Sequence, residues 1–241
     1  MPTPYTPSDY WEKRLQKSFN LRGVGHLNFS EGYNAWLYRR KDRCISALLR
    51  DLPLQGVKVL DVGCGTGFFV DWYTKRGADL TGVDITTVSV ERLAARYPRG
   101  TFLTRDISSA AFEASGPFAI VNMWDVMYHI VEPDAFDRAL ANIARILQPG
   151  GRFLTTDWFA GPADVRVADH VRARTLATYA SRFGPLGLEL ESLTPLYGLL
   201  NRRVLGGTLD NRLGPLYYAI DGLARTPSPR NLSLALWRKR A

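Results

Sequence analysis

The feature that most constrains this 241-residue chain is the segment VKVLDVGCGTGFFVDW, from Val57 to Trp72. Its aliphatic residues up to Val62 predict a buried strand, and the residues from Phe68 to Tyr73 predict the start of a helix. Three glycines lie between the two elements. A glycine-rich turn lets the backbone approach a ligand closely and directs helix N–H groups toward it. The segment therefore predicts a binding site for a polar ligand.

After this turn, strand-like and helix-like segments alternate along the chain. Strands are predicted at Asp79–Thr86, Thr101–Ile107, Phe118–Trp124 and Arg152–Trp158, and helices at Val88–Tyr97 and Asp134–Leu147. This alternation is typical of the α/β class, in which helices cover both faces of a parallel sheet. Ligands of such open sheets bind beyond the carboxyl ends of the strands.

The last third of the chain departs from this alternation. Two more strands are predicted in LGLELESLTPL and NLSLALWRK, but irregular segments interrupt the pattern at about 159–186 and 197–229. These insertions follow the fifth and sixth strands, so they are placed to cap the carboxyl edge of the sheet. The second insertion carries enough leucine and tyrosine to require burial, either as a lid over the site or in a dimer interface.

Composition limits the function classes further. Hydrophobic residues make up 46% of the chain, yet no apolar run approaches the ~20 residues of a membrane span, and the N-terminus lacks the apolar stretch of a signal peptide. The two cysteines, Cys44 and Cys64, have neither metal-site nor disulfide spacing. We therefore expect a cytoplasmic protein without a membrane span.

The net charge is +8, from 31 basic and 23 acidic residues. Nucleic-acid binding is one explanation of such an excess. The basic residues, however, are spread along the chain and form only short groups, such as Arg39–Arg43 and Arg238–Arg240. This distribution favours a solvated basic surface over a dedicated polyanion site, and we expect a small molecule rather than nucleic acid as the partner.

Three aspartates stand next to the glycine turn or at the ends of predicted strands. Asp61 comes directly before the glycines, Asp84 ends the second strand and Asp106 ends the third. A carboxylate at Asp84 can accept hydrogen bonds from two ribose hydroxyls, and one at Asp106 can accept from the exocyclic amine of an adenine. An aspartate at a strand–helix junction is also a common helix cap or turn residue, so each has a structural alternative.

In their order and spacing, these motifs resemble those of the class I S-adenosylmethionine-dependent methyltransferases. VLDVGCGTG is similar to the first motif of that family, GVDIT to its acidic second-strand motif, RDI to its adenine-contacting motif and LQPGGRFL to the entry of its fifth strand. The resemblance covers about Val57 to Phe153. It implies a Rossmann-like, seven-stranded, mostly parallel sheet with S-adenosyl-L-methionine as cofactor and S-adenosyl-L-homocysteine as product. A nicotinamide-dependent enzyme is the rival, but GCGTG lacks the spacing of G-x-G-x-x-G.

The resemblance also assigns cofactor contacts residue by residue. It implies that the backbone at Gly63 and Gly65 carries the amino-acid end of the cofactor. Asp61 would orient this loop or meet the cofactor ammonium, and Asp84 would hold the ribose. The remaining contacts expected from the sheet are Ile85, Asp106, Ile107, Met123 and Trp124.

Residues 1–52 are predicted to form a helical lid on the methyltransferase domain, which we place at 53–241. Within GYNAWLYRRKDRCISALL, one helical stripe carries Tyr33, Leu37, Arg40, Cys44 and Leu48. An arginine on such a stripe fits the cofactor carboxylate, or else an aspartate partner or the solvent. Tyr33 and Arg40 are the lid residues that we expect at the cofactor.

Two residues after the predicted fourth strand are candidates for the chemistry. His129 lies in DVMYHI, at the rim where the reacting group is expected, and an imidazole titrates near neutral pH, which suits a general base. A structural imidazole at the start of a helix is the alternative. Tyr128 is a candidate for a hydrogen bond to the acceptor.

The same segment corresponds in position to a known metal-binding motif. Ubiquinone-pathway O-methyltransferases carry E-x-x-E-H here and bind Mg²⁺ with it, whereas this chain has Asp125, Tyr128 and His129. The first glutamate of the motif is replaced by the shorter Asp125 and the second by Tyr128, whereas hard divalent ions prefer several oxygen ligands. We therefore expect no metal.

Together these features favour a methyltransferase that modifies a hydroxyl of a small molecule or saccharide, as a monomer or homodimer. In-line methyl transfer with His129 as the base is the expected reaction. N-methylation, nucleic-acid methylation and a non-catalytic cofactor-binding subunit are the alternatives.

Overall fold

The computed structural model describes residues 6–223 and 226–241 of the chain. Its strands are β1 (Lys58–Val62), β2 (Asp79–Asp84), β3 (Thr101–Thr104), β4 (Phe118–Met123), β5 (Leu147–Asp157), β6 (Val165–Ala168), β7 (Val171–Ala173), β8 (Leu188–Pro195) and β9 (Ser233–Lys239). Its helices are α1 (Pro7–Lys17), α2 (Leu21–Val24), α3 (Glu31–Leu48), α4 (Phe68–Thr74), α5 (Thr87–Arg96), α6 (Pro133–Ile146), α7 (Leu176–Phe183) and α8 (Gly207–Asp221), with a 3₁₀ turn at Met127–His129. None of the helices in this part of the chain has the length and hydropathy of a membrane-spanning segment.

Seven strands form the main sheet, in the order β3–β2–β1–β4–β5–β9–β8. The strand β9 is antiparallel to both neighbours, whereas the pairings from β3 to β5 are parallel. The strand order reverses direction between β1 and β4, and ligands of open α/β sheets bind at such a switch point. The predicted Rossmann-like, seven-stranded, mostly parallel sheet is confirmed.

The central strands are buried on both faces, as their nearly continuous aliphatic sequences predict. Val59 and Ile120 pack into a core shared with α3 and α4, while Leu60 and Val121 pack into a second core with α6. All four side chains have 0% exposure. The two cores hold the carboxyl ends of β1 and β4 rigidly, which is where the glycine turn begins.

The first insertion, predicted as irregular, is structured. It contains the hairpin of β6 and β7 followed by α7, whose Tyr179 and Phe183 are fully buried in the second core. The hydroxyl of Tyr179 donates to the buried carboxylate of Asp157 (2.8 Å) at the end of β5. This insertion is therefore part of the packed body of the domain.

The second insertion contains α8, which the sequence pattern does not predict because Gly214 and Pro215 lie in its middle. The helix packs on α3, and a side chain at Gly214 would come within 2.6 Å of the Trp36 indole, so this close approach requires glycine. The outer face of α8 leaves Leu209 and Leu216 about half exposed (49% and 52%). The second insertion thus covers the face of α3 that carries Trp36.

Candidate active site

A cavity of about 230 Å³ lies at the carboxyl ends of β1, β2 and β4. The glycine turn after β1 forms its floor, and the segments after β2 and β3 form one side. The segment after β4 forms the opposite side, and residues from α1, α2 and α3 close it from above. No described residue of the second insertion contributes to the lining. The cavity is closed by the N-terminal helices predicted as a lid, and the choice between a lid and a dimer interface for the second insertion remains a prediction.

Two of the three glycines of the turn line the cavity, at positions that only glycine fits without rearrangement. Gly63 (φ +71°) and Gly65 (φ +51°) have left-handed backbone conformations. A Cβ atom on Gly63 would lie 2.4 Å from a methyl group of Val126, and one on Gly65 would lie 2.9 Å from a methyl group of Val24. Both glycines line the cavity, as the sequence predicts, and they leave backbone exposed to a ligand there.

Asp84 both lines the cavity and shapes the glycine turn. Its carboxylate accepts hydrogen bonds from the Gly65 amide (2.9 Å), the Thr86 amide (2.9 Å) and the Thr86 hydroxyl (2.7 Å). Burial raises the pKa of Asp84, although the hydrogen bonds from Thr86 and Gly65 oppose this effect. Asp84 thus has the structural role of a turn residue, and the same carboxylate also lines the cavity where a ribose is expected.

Asp61 lies beneath the turn instead of in the cavity wall, with 2% exposure. One of its carboxylate oxygens accepts a hydrogen bond from the Asn122 side-chain amide (2.7 Å), and the other has no partner among the described residues. Burial raises the pKa of Asp61 to about 7. An orphaned buried carboxylate oxygen next to the turn is suited to a water or to a cationic group of a ligand.

The side of the cavity expected to receive an adenine contains Ile85, Asp106 and Ile107. One oxygen of Asp106 accepts hydrogen bonds from the amide (2.8 Å) and the hydroxyl (2.7 Å) of Ser108, so Asp106 also stabilises the turn after β3. Trp124 lines the opposite end of the cavity, and its indole N–H donates to the side-chain oxygen of Asn122 (2.7 Å). These four predicted residues are brought to one cavity.

Three predicted contacts are placed elsewhere. The guanidinium of Arg40 donates to the carbonyls of residues 195 (3.1 Å) and 196 (2.9 Å), because α3 packs against the end of β8 there. The Tyr33 hydroxyl donates to the carbonyl of residue 200 (2.9 Å) in the second insertion. Met123 points into the second core with 0% exposure. None of the three residues lines the cavity, and their expected contacts with the cofactor remain predictions.

Among the described residues, two cations line the cavity, the exposed Arg105 and the buried Lys41, and the sequence pattern predicts neither as a site residue. The Lys41 ammonium forms an ion pair with Asp125, and their side chains are 4% and 23% exposed. Asp125 has a left-handed backbone (φ +59°), a conformation that is uncommon outside glycine. Its amide donates to the Thr156 hydroxyl (2.8 Å), which donates back to the carboxylate (2.9 Å). Asp125, considered above as a metal ligand, is thus neutralised by a lysine.

His129 lies at the cavity wall, and its Nδ1 is 2.8 Å from the carbonyl oxygen of His170. A carbonyl only accepts hydrogen bonds, so Nδ1 carries the proton and Nε2 carries the lone pair. Burial lowers the pKa of His129 to about 4, although the hydrogen bond to His170 opposes this effect. The imidazole is therefore neutral near pH 7. Tyr128 packs behind it with 9% exposure, in contact with the Trp158 ring, and is absent from the described lining.

The N-terminal helices form the roof of the cavity. Trp11 and Leu15 of α1 and Val24 of α2 line it, and the Trp11 ring meets the His129 ring edge-on at 5.2 Å. The carboxylate of Glu12 attaches α1 to the start of α5, where it accepts a hydrogen bond from the Thr87 amide (2.7 Å). Removal of α1 would open the cavity to solvent.

The residues present fit S-adenosylmethionine. The glycine turn provides a bare backbone surface, the orphaned Asp61 oxygen lies next to it, and Asp84 and Asp106 stand where ribose and adenine groups would meet them. Within residues 6–223 and 226–241, no three His, Cys, Asp or Glu side chains converge to suit a metal ion.

Comparison with known proteins agrees with this geometry. Residues 59–151 match the family model described as a methyltransferase domain. The ubiquinone biosynthesis O-methyltransferase of Paracidovorax citrulli is 34% identical over 104 residues, which are 41% of this chain and 42% of that protein. The enzyme of the same name from Cereibacter sphaeroides is 31% identical over 130 residues, which are 53% of this chain and 50% of that protein. The chain thus matches about half or less of the length of these relatives.

Solved structures share the fold over nearly the whole chain. Magnesium protoporphyrin IX methyltransferase from Synechocystis PCC 6803, solved with S-adenosylhomocysteine, has a TM-score of 0.65 at 16% identity, covering 97% of this chain and 98% of that one. The 1,6-didemethyltoxoflavin N1-methyltransferase of Burkholderia thailandensis has a TM-score of 0.58 at 18% identity, covering 100% and 94%. The motif region of this chain thus matches a methyltransferase domain, and the chain shares its fold with these solved methyltransferases.

Proposed function

We propose that this chain binds S-adenosylmethionine in the cavity described above and transfers its methyl group to a hydroxyl of a small molecule. One observation carries the proposal: the glycine turn, Asp84 and His129 line a single cavity. The relatives named ubiquinone biosynthesis O-methyltransferase support oxygen as the acceptor atom and a small molecule as its carrier. The described part of the predicted lid, residues 6–52, covers the cavity, and residues 1–5 lie outside the described residues.

The protein's part in the reaction follows from the geometry of the cavity. The bound cofactor would supply a methyl group already activated on a sulfonium. His129 presents an unprotonated Nε2, which can accept the proton of the acceptor hydroxyl. The roof residues Trp11 and Leu15 exclude water from the cavity and hold the acceptor near the reacting group. Such positioning can lower a barrier by about 7–11 kcal/mol in the best cases.

Mass spectrometry tests this proposal. The purified chain is incubated with methyl-labelled S-adenosylmethionine and a mixture of phenols, catechols and sugars, and the products are searched for a labelled methyl ether. We expect a labelled ether whose formation slows by about 10²–10⁴-fold in His129→Ala, because a general base contributes about that much. A label found only on nitrogen or on added RNA or DNA would contradict the choice of acceptor. Binding of the cofactor without any transfer would indicate a non-catalytic subunit.

A further inference from the structure

We propose that the ammonium of Lys41 binds the oxygen of an acidic hydroxyl on an aromatic acceptor and stabilises the anionic form of that oxygen. The inference rests on the methyl transfer proposed above and names the class of acceptor. Lys41 lines the cavity from α3 with its side chain 4% exposed, so its charge is withheld from bulk solvent. A charge in such surroundings acts on a nearby ligand more strongly than one at the surface, although the paired Asp125 carboxylate offsets part of this effect.

Asp125 holds Lys41 in place from the opposite side of the cavity wall. One carboxylate oxygen accepts from the Thr156 hydroxyl (2.9 Å) and the other pairs with the Lys41 ammonium. The ammonium also lies 4.1 Å from the centroid of the Tyr38 ring. Since an ammonium has three N–H donors, this pairing leaves it able to donate to a ligand oxygen in the cavity.

The surroundings keep Lys41 and Asp125 charged, and they keep the neighbouring tyrosines and His129 neutral. Burial opposes the charge of Lys41, but Asp125 and Tyr38 outweigh it, so the pKa of Lys41 is raised. Burial likewise opposes the charge of Asp125, but Lys41 outweighs it and the pKa of Asp125 is lowered. Burial raises the pKa of the Tyr128 and Tyr197 hydroxyls well above their ordinary value, so both remain protonated. His129 is neutral at the same pH, as shown above.

The cavity wall near Lys41 favours a flat aromatic acceptor. Tyr38 contacts Phe68 with ring centroids 4.8 Å apart, and Phe69 contacts Trp124 at 4.8 Å. All four residues line the cavity. Aromatic walls of this kind stack against rings, whereas a sugar needs many polar partners. A weakly basic imidazole at His129 also suits a phenol better than an aliphatic alcohol, because a phenol loses its proton more readily.

A chromogenic phenol measures this effect without turnover. 4-Nitrocatechol is titrated with alkali in the presence of the protein saturated with S-adenosylhomocysteine and of EDTA, and the phenolate is followed by its absorbance. We expect binding to lower the apparent pKa of the probe by about 1–3 units, as an opposite charge at close range does. Lys41→Met should abolish the shift and Lys41→Arg should retain most of it. Lys75→Met, which breaks an exposed lysine–aspartate pair, is the matched control and should behave as wild type.

Lys41→Met leaves Asp125 buried without its counter-ion, so the double variant Lys41→Met with Asp125→Asn provides a folded comparison. It should also lose the shift. Failure of wild type to bind 4-nitrocatechol, or a shift that persists in either variant, would overturn the inference. A loss of S-adenosylhomocysteine affinity by ten-fold or more in the double variant would assign Lys41 to the cofactor and also overturn it, while the proposed function would stand. Absence of S-adenosylhomocysteine binding to wild type would instead refute the proposed function.

Discussion

The carboxylate of Glu12 attaches α1 to the body of the domain, and its replacement by alanine should loosen that helix. Glu12 accepts hydrogen bonds from the amides of Thr87 (2.7 Å) and Val88 (3.3 Å) at the start of α5. Thr86, the local capping residue, does not cap this helix, because its hydroxyl is engaged by Asp84 (2.7 Å) and Ser89 (2.8 Å). Loss of a helix cap costs about 0.5–2 kcal/mol. We therefore expect α1 to dock about 1–2 kcal/mol less strongly in Glu12→Ala.

Amide hydrogen exchange reports this change directly. A loss of about 1–2 kcal/mol corresponds to an increase of about 5–30-fold in the fraction of open helix. Exchange in α1 should accelerate by that factor in Glu12→Ala, while exchange in α7, which packs into the second core and does not line the cavity, should not change. Glu91→Ala, an exposed position on α5, serves as the control. Exchange in α1 that stays within two-fold of wild type would refute the role assigned to Glu12.

Two further predictions concern the loop that carries His129. The buried Arg174 (2% exposed) donates hydrogen bonds to three carbonyls of this loop. Arg174→Met should therefore lower the free energy of unfolding, measured by urea titration, by roughly 3 kcal/mol. Arg166→Met, at an exposed position, is the control and should change it little. Since the pKa of His129 is lowered to about 4 in the fold, the unfolded chain binds a proton there that the native state excludes, and stability falls as the pH drops from about 6.5 to 4. The stability of wild type relative to His129→Asn should therefore fall by about 2–3 kcal/mol over this window. Burial raises the pKa of Asp61 and of Asp157 to about 7, which makes the fold more stable as the pH drops, but this contribution is the same in wild type and His129→Asn and cancels between them. A stability difference between the two proteins that does not change with pH would contradict the burial of His129.

The motif region of the cavity is predictable from the sequence because its determinants are local. A strand, a turn that requires left-handed glycines and a carboxylate at the end of the next strand form a unit within about 30 residues, and parallel pairing of β1 and β2 brings them together. Gly63, Gly65, Asp84 and Asp106 consequently lie where the pattern places them. Their roles toward a cofactor remain predictions.

The roof of the cavity is less predictable because long-range packing decides which face of α3 points inward. The sequence pattern centres that face on Leu37 and Arg40, whereas the structure buries a wider face that includes Tyr38 and Lys41. The difference arises because α8, more than 160 residues later, covers one side of α3. The end of β8 also holds Arg40 away from the cavity, through hydrogen bonds to the carbonyls of residues 195 and 196. A glycine and a proline inside α8 conceal that helix from any local pattern.

Calorimetric titration with S-adenosylhomocysteine tests the central claim most directly. We expect saturable binding to wild type and an affinity lower by about 10–100-fold in Asp84→Ala, because hydrogen bonds to a charged group contribute about 1.5–3 kcal/mol. Asp79→Ala, an exposed position at the other end of the same strand, should bind as wild type, and thermal unfolding in the absence of ligand establishes that each variant is folded. Absence of binding to wild type, or an unchanged affinity in folded Asp84→Ala, would contradict the assignment of this cavity to S-adenosylmethionine.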